Sequence, residues 1–332
     1  MAPEKAHLEW RWICQCCAES HRSVSQIVTN RLPEFVIIGA GKSASTWLHM
    51  ALRQHPALFM PEQETFFFED PHYHENDLGA LFAELQAAPA GATIGIKRPD
   101  YLCTPECAPR LAKHLPRARL IAILRNPVDR AVSQYYHLIR SGRLAVSHPD
   151  ATFSQYLLGR FDAPFIERVV LQFGLYGQAI ANYRLVFPAD QMLILTDLDL
   201  RNSALDVFKR TCRFLGVEND FAPSDIERPR NQGVYFSPFL SLIQSLNNLG
   251  QSFDAQTGRE TPRADLMGKT ARRLAVLSSR MSAATRIFLR DQAPPISLNT
   301  RANLLDFYLP DIVKLEELTN MDLSAWKSLP ES

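Results

Sequence analysis

A strand, a glycine turn and a helix run together in EFVIIGAGKSASTWL, Glu34 to Leu48, and this junction restricts the chain more than any other stretch. Phe35 to Ile38 is apolar and rich in β-branched residues, as a strand buried on both faces is. Gly39 and Gly41 allow backbone angles that other residues avoid. An apolar helical pattern begins at Trp47 and Leu48. A chain that passes from a buried strand through glycines into a helix leaves uncommitted N–H groups, and the positive end of the helix dipole, at the turn. Gly41, Lys42, Ser43, Ala44, Ser45, Thr46 and Trp47 line it, so one lysine and three hydroxyls converge where a phosphate or sulfate would sit. The pattern is not the loop G-x-x-x-x-G-K-[ST], because only Ala40 separates the two glycines. An ordinary strand-to-helix turn with a solvated lysine is the competing reading.

Arg119 to Arg140, RLIAILRNPVDRAVSQYYHLIR, repeats the theme. Leu120 to Leu124 reads as a second buried strand with Arg125 at its carboxyl end. Asn126-Pro127 turns the chain, proline opens a helix well, and Asp129 suits its first turn. Ser133 and Tyr136 lie further along that helix. Ligands of open α/β sheets bind beyond the carboxyl ends of the strands. Lys42 and Arg125 both fall there, on different strands.

GAGKSASTWL and LRNPVDRAVSQY, in this order and about eighty residues apart, together resemble the PAPS-dependent sulfotransferases, the heparan-sulfate-type and related bacterial carbohydrate enzymes in particular. PAPS is an adenosine with a 3′-phosphate and a 5′-phosphosulfate; PAP is what remains after transfer. The resemblance implies an α/β fold: a three-layer sandwich around a mainly parallel central sheet, with a P-loop-like nucleotide-binding turn. It implies PAPS as donor, with no metal expected. Gly41 to Trp47 would hold the 5′-phosphosulfate, with Lys42 on the bridging and leaving oxygens, and Arg125 and Ser133 would hold the 3′-phosphate. Glu64, in EQETFFFED, matches the general base of heparan-type members, although Gln63 stands where the family often has lysine. Lys97, in IKRPDY, matches a lysine at the edge of the acceptor site. Arg230 and Gly233, in ERPRNQGVY, fall where the family has a basic loop over the 3′-phosphate. The resemblance covers residues 34 to 235 and 296 to 326.

The residues around Glu64 suggest one property of their own. A carboxyl beside Phe66, Phe67 and Phe68 is expected to have its pKa raised by desolvation, which suits proton abstraction. Glu62 and Glu69 are competing bases, and a charged loop next to core aromatics is the plainer reading. His72 and His74 read as a surface loop pair more readily than as metal ligands.

The remaining chain bounds the class. A length of 332 residues, 46% of them hydrophobic, is enough for a sizeable core. A formal net charge of +1 gives no bias toward nucleic acid. No run of eighteen apolar residues is present, so no membrane span is expected. The first residues lack the apolar centre of a signal peptide, which points to a cytoplasmic protein with free thiols. Residues 1–32 read as a tail, and 33–332 as one domain. Residues 237–295 form a helical insertion, in which basic residues outnumber acidic ones eight to two between Arg259 and Arg290. That stretch is either a solvated helical face or a groove for an anionic acceptor. Further strands are expected at Thr93–Lys97 and Met192–Leu195, with helices over 77–88, 204–215 and the final segment. The expected activity is transfer of a sulfuryl group to a hydroxyl or amine, by preference of a carbohydrate. Non-carbohydrate acceptors, a P-loop kinase or NTPase, and a nucleotide-binding module without catalysis are the alternatives. The pattern assigns no oligomeric state.

Overall fold

The computed structural model describes residues 30–160, 163–224, 226, 235, 237–253, 260–284 and 293–329. The chain divides into two units, Met1–Asn30 and Arg31–Ser332, and the second holds the strands and helices that follow.

Five strands form one sheet: β1 (Phe35–Gly39), β2 (Leu58–Phe59), β3 (Thr93–Lys97), β4 (Arg119–Leu124) and β5 (Met192–Thr196). Their order is β2-β3-β1-β4-β5, and every neighbouring pair is parallel. The helices follow in chain order. They are α1 (Ser45–Leu52), α2 (Gly79–Leu85), α3 (Cys107–His114), α4 (Pro127–Arg140), α5 (Pro149–Leu157), α6 (Pro164–Val170) and α7 (Tyr176–Arg184). Then come α8 (Asp197–Asn202), α9 (Ala204–Leu215), α10 (Ser237–Gly250), α11 (Leu266–Ala284) and α12 (Leu298–Thr319).

Strand periodicity makes three layers from this list. Phe35 and Ile37 of β1, with Ile121 and Ile123 of β4, pack on Leu48 and Leu52 of α1 and on Val207 and Phe208 of α9. The alternate residues Val36, Ile38, Leu120, Ala122 and Leu124 face a second, larger core with Leu111 of α3, Ala131 of α4, Ile180 of α7 and Leu304 of α12. Because both faces are covered, the central strands are apolar at every position, which is why they read as continuous runs. The α/β class and the mainly parallel sheet agree with the expectation.

Strand order places the site. From β1 the chain builds one way to β2 and β3, then crosses to β4 and β5 on the other side. The carboxyl ends of β1 and β4 therefore flank the switch point, where crevices form in such sheets. The glycine turn leaves β1 there, and Arg125 follows β4.

The segment expected to be a helical insertion holds a helical pair, α10 and α11, joined through the antiparallel strands β6 (Gln251–Phe253) and β7 (Glu260–Pro262). The spacing of Phe239, Leu240, Ile243 and Leu246 predicted the first helix; the hairpin had no sequence signal. Cys103, Cys107 and Cys212 are free thiols, so no Cys103–Cys107 bridge forms. Among the described residues no helix is long and apolar enough to cross a membrane.

Candidate active site

β1 ends at Gly39, where a side chain would lie 2.7 Å from Leu102 Cβ and 3.2 Å from the Pro99 carbonyl oxygen. Only glycine admits the segment after β3 so close to the turn. Lys42 and Ala44 then take left-handed φ angles of 67° and 69°. For residues with a Cβ this costs about 1–2 kcal/mol each. α1 starts at Ser45 with no side-chain cap, so its first-turn N–H groups remain available to a ligand. The start of α4 is different: the Asn126 side chain accepts from the N–H groups of Val128 and Asp129. At the start of α4 the amides are thus already engaged, and only side chains are left to meet a ligand there.

Those side chains come from one face of α4. Ser133, His137 and Arg140 recur at spacings of four and three, so they stack on the side of the helix that meets the β1 turn. Burial pushes the Lys42 pKa down to about 8, and the charges of Arg140, Arg125 and Arg130 push it the same way. His137 is held at about 3 by burial and by Lys42, Arg143 and Arg140, so it is neutral near pH 7. Arg125 approaches the Lys42 carbonyl oxygen with Nη1 at 3.5 Å, and its Nε lies 3.8 Å from Asp197. The Arg125 Nε is buried and has no hydrogen bond. The buried Ser43 hydroxyl faces the Tyr176 hydroxyl, yet neither makes a hydrogen bond of normal geometry. The turn is a cationic pocket with polar atoms to spare, which fits a multiply charged anion. Arg130 is different in kind: it is buried and donates to the carbonyl oxygens of Val169 and Val170, so it ties α4 to the end of α6.

Across the crevice the cations are paired. Lys97, at the end of β3 and 3% exposed, donates to Thr46 Oγ1 at 3.0 Å and to Glu64 Oε1 at 2.8 Å. Arg98 Nη1 donates to the other Glu64 oxygen at 2.8 Å. A single lysine therefore links the β1 turn to a carboxylate that is 32% exposed.

Residues 32–231 match the sulfotransferase domain family, which is well over half of the chain. The chain belongs to the sulfotransferase domain family. Its relatives include the bifunctional heparan sulfate N-deacetylase/N-sulfotransferase 2 of Mus musculus, 29% identical over 222 residues that make up 62% of this chain and 25% of the relative. The corresponding enzyme 1 of Xenopus tropicalis is 30% identical over 226 residues, 63% of this chain and 25% of the relative. The chain spans about a quarter of the length of the curated relatives it matches. A solved sulfotransferase from Alicyclobacillus acidocaldarius superposes with a TM-score of 0.61 at 23% identity, covering 90% of this chain and all of that one, and so shares the fold.

Within this sulfotransferase domain the expected residues gather in part. Lys42, Ser43, Ala44, Ser45, Thr46 and Arg125 surround the β1 turn, and Ser133 lies on the α4 face beside it. Trp47 is mostly buried and donates from Nε1 to the Ile226 carbonyl oxygen at 2.8 Å, so its ring anchors α1. Arg230 and Gly233 lie outside the described residues. One expectation is corrected. Burial does raise the Glu64 pKa, but the charge and hydrogen bond of Lys97, with those of Arg98, outweigh it and hold the carboxyl below its usual range. Of the three phenylalanines, Phe67 and Phe68 turn into the core while Phe66 is 41% exposed. A carboxylate at a strand end, not anticipated, also exists: Asp197 follows β5, but it pairs with Arg201 and approaches Arg125. Of the competing bases, Glu62 is exposed, and Glu69 binds Arg98 with both oxygens. His72 and His74 are exposed, and among the described residues no cluster of His, Cys, Asp or Glu is arranged to hold a metal. Sequence reasoning missed His137, Arg140 and Arg98. The i+4 step from Ser133 to His137 was the one signal that could have found the first.

Proposed function

We propose that this domain transfers the sulfuryl group of PAPS to a hydroxyl or amine of a carbohydrate. The supporting observation is the link Thr46–Lys97–Glu64, which joins the cationic β1 turn to a carboxylate one side chain away. Lys42 and the free amides of α1 would hold the 5′-phosphosulfate, and Arg125 and Ser133 the 3′-phosphate. The acceptor attacks sulfur in line. Its new bond to sulfur forms as the bond from sulfur to the phosphate oxygen breaks. The leaving electron pair stays on that oxygen, where Lys42 offsets the charge. The acceptor proton passes to Glu64. A carboxylate with a lowered pKa can take it because the proton becomes strongly acidic only as the bond to sulfur forms. The relatives named for heparan sulfate N-sulfotransferase activity support a sugar acceptor, with nitrogen as one of its reactive atoms.

Calorimetric titration with PAP, ADP and ATP tests the donor. Binding of PAP without added metal, with ADP and ATP at least tenfold weaker, is expected. ATP binding that requires Mg²⁺, with PAP ignored, would replace this reading by a kinase or NTPase. Transfer of labelled sulfate from PAPS to a panel of glucosaminyl and hydroxylated sugars then identifies the acceptor.

A further inference from the structure

We propose that Arg98 is the positioning residue of the acceptor side: it fixes the Glu64 carboxylate from the side opposite Lys97 and keeps it a bare acceptor beside the donor turn. This rests on the reading of Glu64 as the base, but its own test does not require that reading.

The guanidinium uses its fork on three carboxylates. Nη1 donates to Glu64 Oε2 at 2.8 Å. Nε and Nη2 donate to the two oxygens of Glu69 at 2.8 and 2.9 Å. Nη2 also lies 2.8 Å from Asp100 Oδ2. The face of the guanidinium rests over the Phe66 ring, 4.1 Å from its centroid. The backbone N–H of Arg98 bonds to the Ile37 carbonyl oxygen of β1, so the side chain departs from a fixed point of the sheet. Glu64 is therefore held at both oxygens, by Lys97 from β3 and by Arg98 from the residue after it. It cannot rotate without giving up one of two charge-assisted bonds.

The same group connects to the donor turn by a second route. A side chain on Gly41 would meet Asp100 Oδ1 at 3.6 Å, so the carboxylate bound to Arg98 lies beside the loop that carries Lys42. Lys97–Thr46 and Arg98–Asp100–Gly41 thus bracket the turn. A lysine at 98 would supply charge but could not bind Glu64, Glu69 and Asp100 in one plane.

The electrostatics agree. Lys97, Arg98, Glu69 and the ring of His49 act on Glu64 or feel its charge; His49 is kept at about 4 mainly by burial and is neutral near pH 7. Glu64 lies below its usual range. Glu69, burial outweighing the bonds from Arg98, lies above it. One guanidinium thus serves two carboxyls whose environments push their pKa values apart, an arrangement that assigns different roles to each.

The test reads Glu64 directly. In the full chain labelled with carbon-13 at the glutamate carboxyl, the Glu64 resonance is assigned by its loss in Glu64→Gln, and its midpoint is followed with pH. Arg98→Met should raise that midpoint by about one pH unit or more, the scale for loss of an adjacent opposite charge. Arg98→Lys should recover part of the shift. Glu69→Gln retains Arg98, removes a competing carboxylate, and should lower the midpoint. A purely structural role for Arg98 predicts no such opposed pair. An unmoved Glu64 midpoint in Arg98→Met overturns the proposal. If that variant does not fold, an unmoved midpoint in Glu69→Gln does so. Full transfer activity in Glu64→Gln would remove the base role of Glu64 and leave the Arg98 result standing.

Discussion

The two walls of the crevice carry similar numbers of cations and treat them in opposite ways. On the β1–β4 side Arg140, Arg125 and Arg130 all act on Lys42, so the charges acting most strongly on it are all positive. On the β3 side Lys97 and Arg98 are bound to Glu64, Glu69 and Asp100 at 2.8–2.9 Å. The β3 wall is neutralised by its own carboxylates. On the proposed reading, the cations that act on Lys42 mark the donor side and the carboxylate-bound cations around Glu64 mark the acceptor side. Thr46 belongs to both walls, because its hydroxyl sits on α1 and accepts from Lys97.

The comparison breaks first at Glu64. Glu64→Gln keeps the shape and most hydrogen bonds of the second wall and removes its capacity to take a proton. Turnover should fall about 10²–10⁴-fold, the range of general-base contributions, while PAP affinity changes less than about twofold. Parallel losses in turnover and PAP affinity would show that the two walls are not functionally separate. Next in size is the reciprocal change on the first wall. Arg125→Ala removes a charged contact, for which hydrogen bonds to ionised groups set the scale of about 1.5–3 kcal/mol. PAP affinity should drop roughly 10- to 150-fold by the same scale, while ADP, which lacks the 3′-phosphate, is barely affected. An equal loss for PAP and ADP would move Arg125 away from the 3′-phosphate.

Which parts of these walls were legible follows from how local they are. β1, the glycine turn and α1 form one continuous sentence of sequence, and so do β4, Arg125 and α4. Each is built by neighbours in the chain, and hydrophobic period, proline and glycine report them. Helix α1 begins at Ser45, two residues earlier than its apolar pattern, because the turn's left-handed residues bring the chain into helical register sooner. The charge state of Glu64 was not legible. It depends on Lys97 and Arg98, more than thirty residues away. His137 and Lys42 meet only because α4 packs beside the β1 turn. The insertion was half legible: α10 has a helical period, whereas β6 and β7 are three residues each and too short to show one.

The smallest effect is the most specific to the donor wall. In the free protein burial and neighbouring cations hold Lys42 at about 8, so between pH 8 and its ordinary value near 10.5 it is largely neutral. An anion in the turn favours the charged form and returns the pKa upward. The folded, empty site thus binds fewer protons in this window than the liganded one. PAP binding at pH 9 should take up close to one proton from solvent, and binding at pH 6.5 should take up none through Lys42, which is then already charged. The sign for folding is the same. The unfolded chain binds more protons than the folded one across this window, so the stability lost to burying Lys42 is regained as pH rises from 8 to 10.5. Titrations at pH 9 in buffers of different ionisation enthalpy measure the uptake as the slope of apparent enthalpy. Lys42→Met should abolish the slope. No uptake in the unaltered protein would mean that the cations of the first wall are already balanced, and the contrast between the walls would fail at its base.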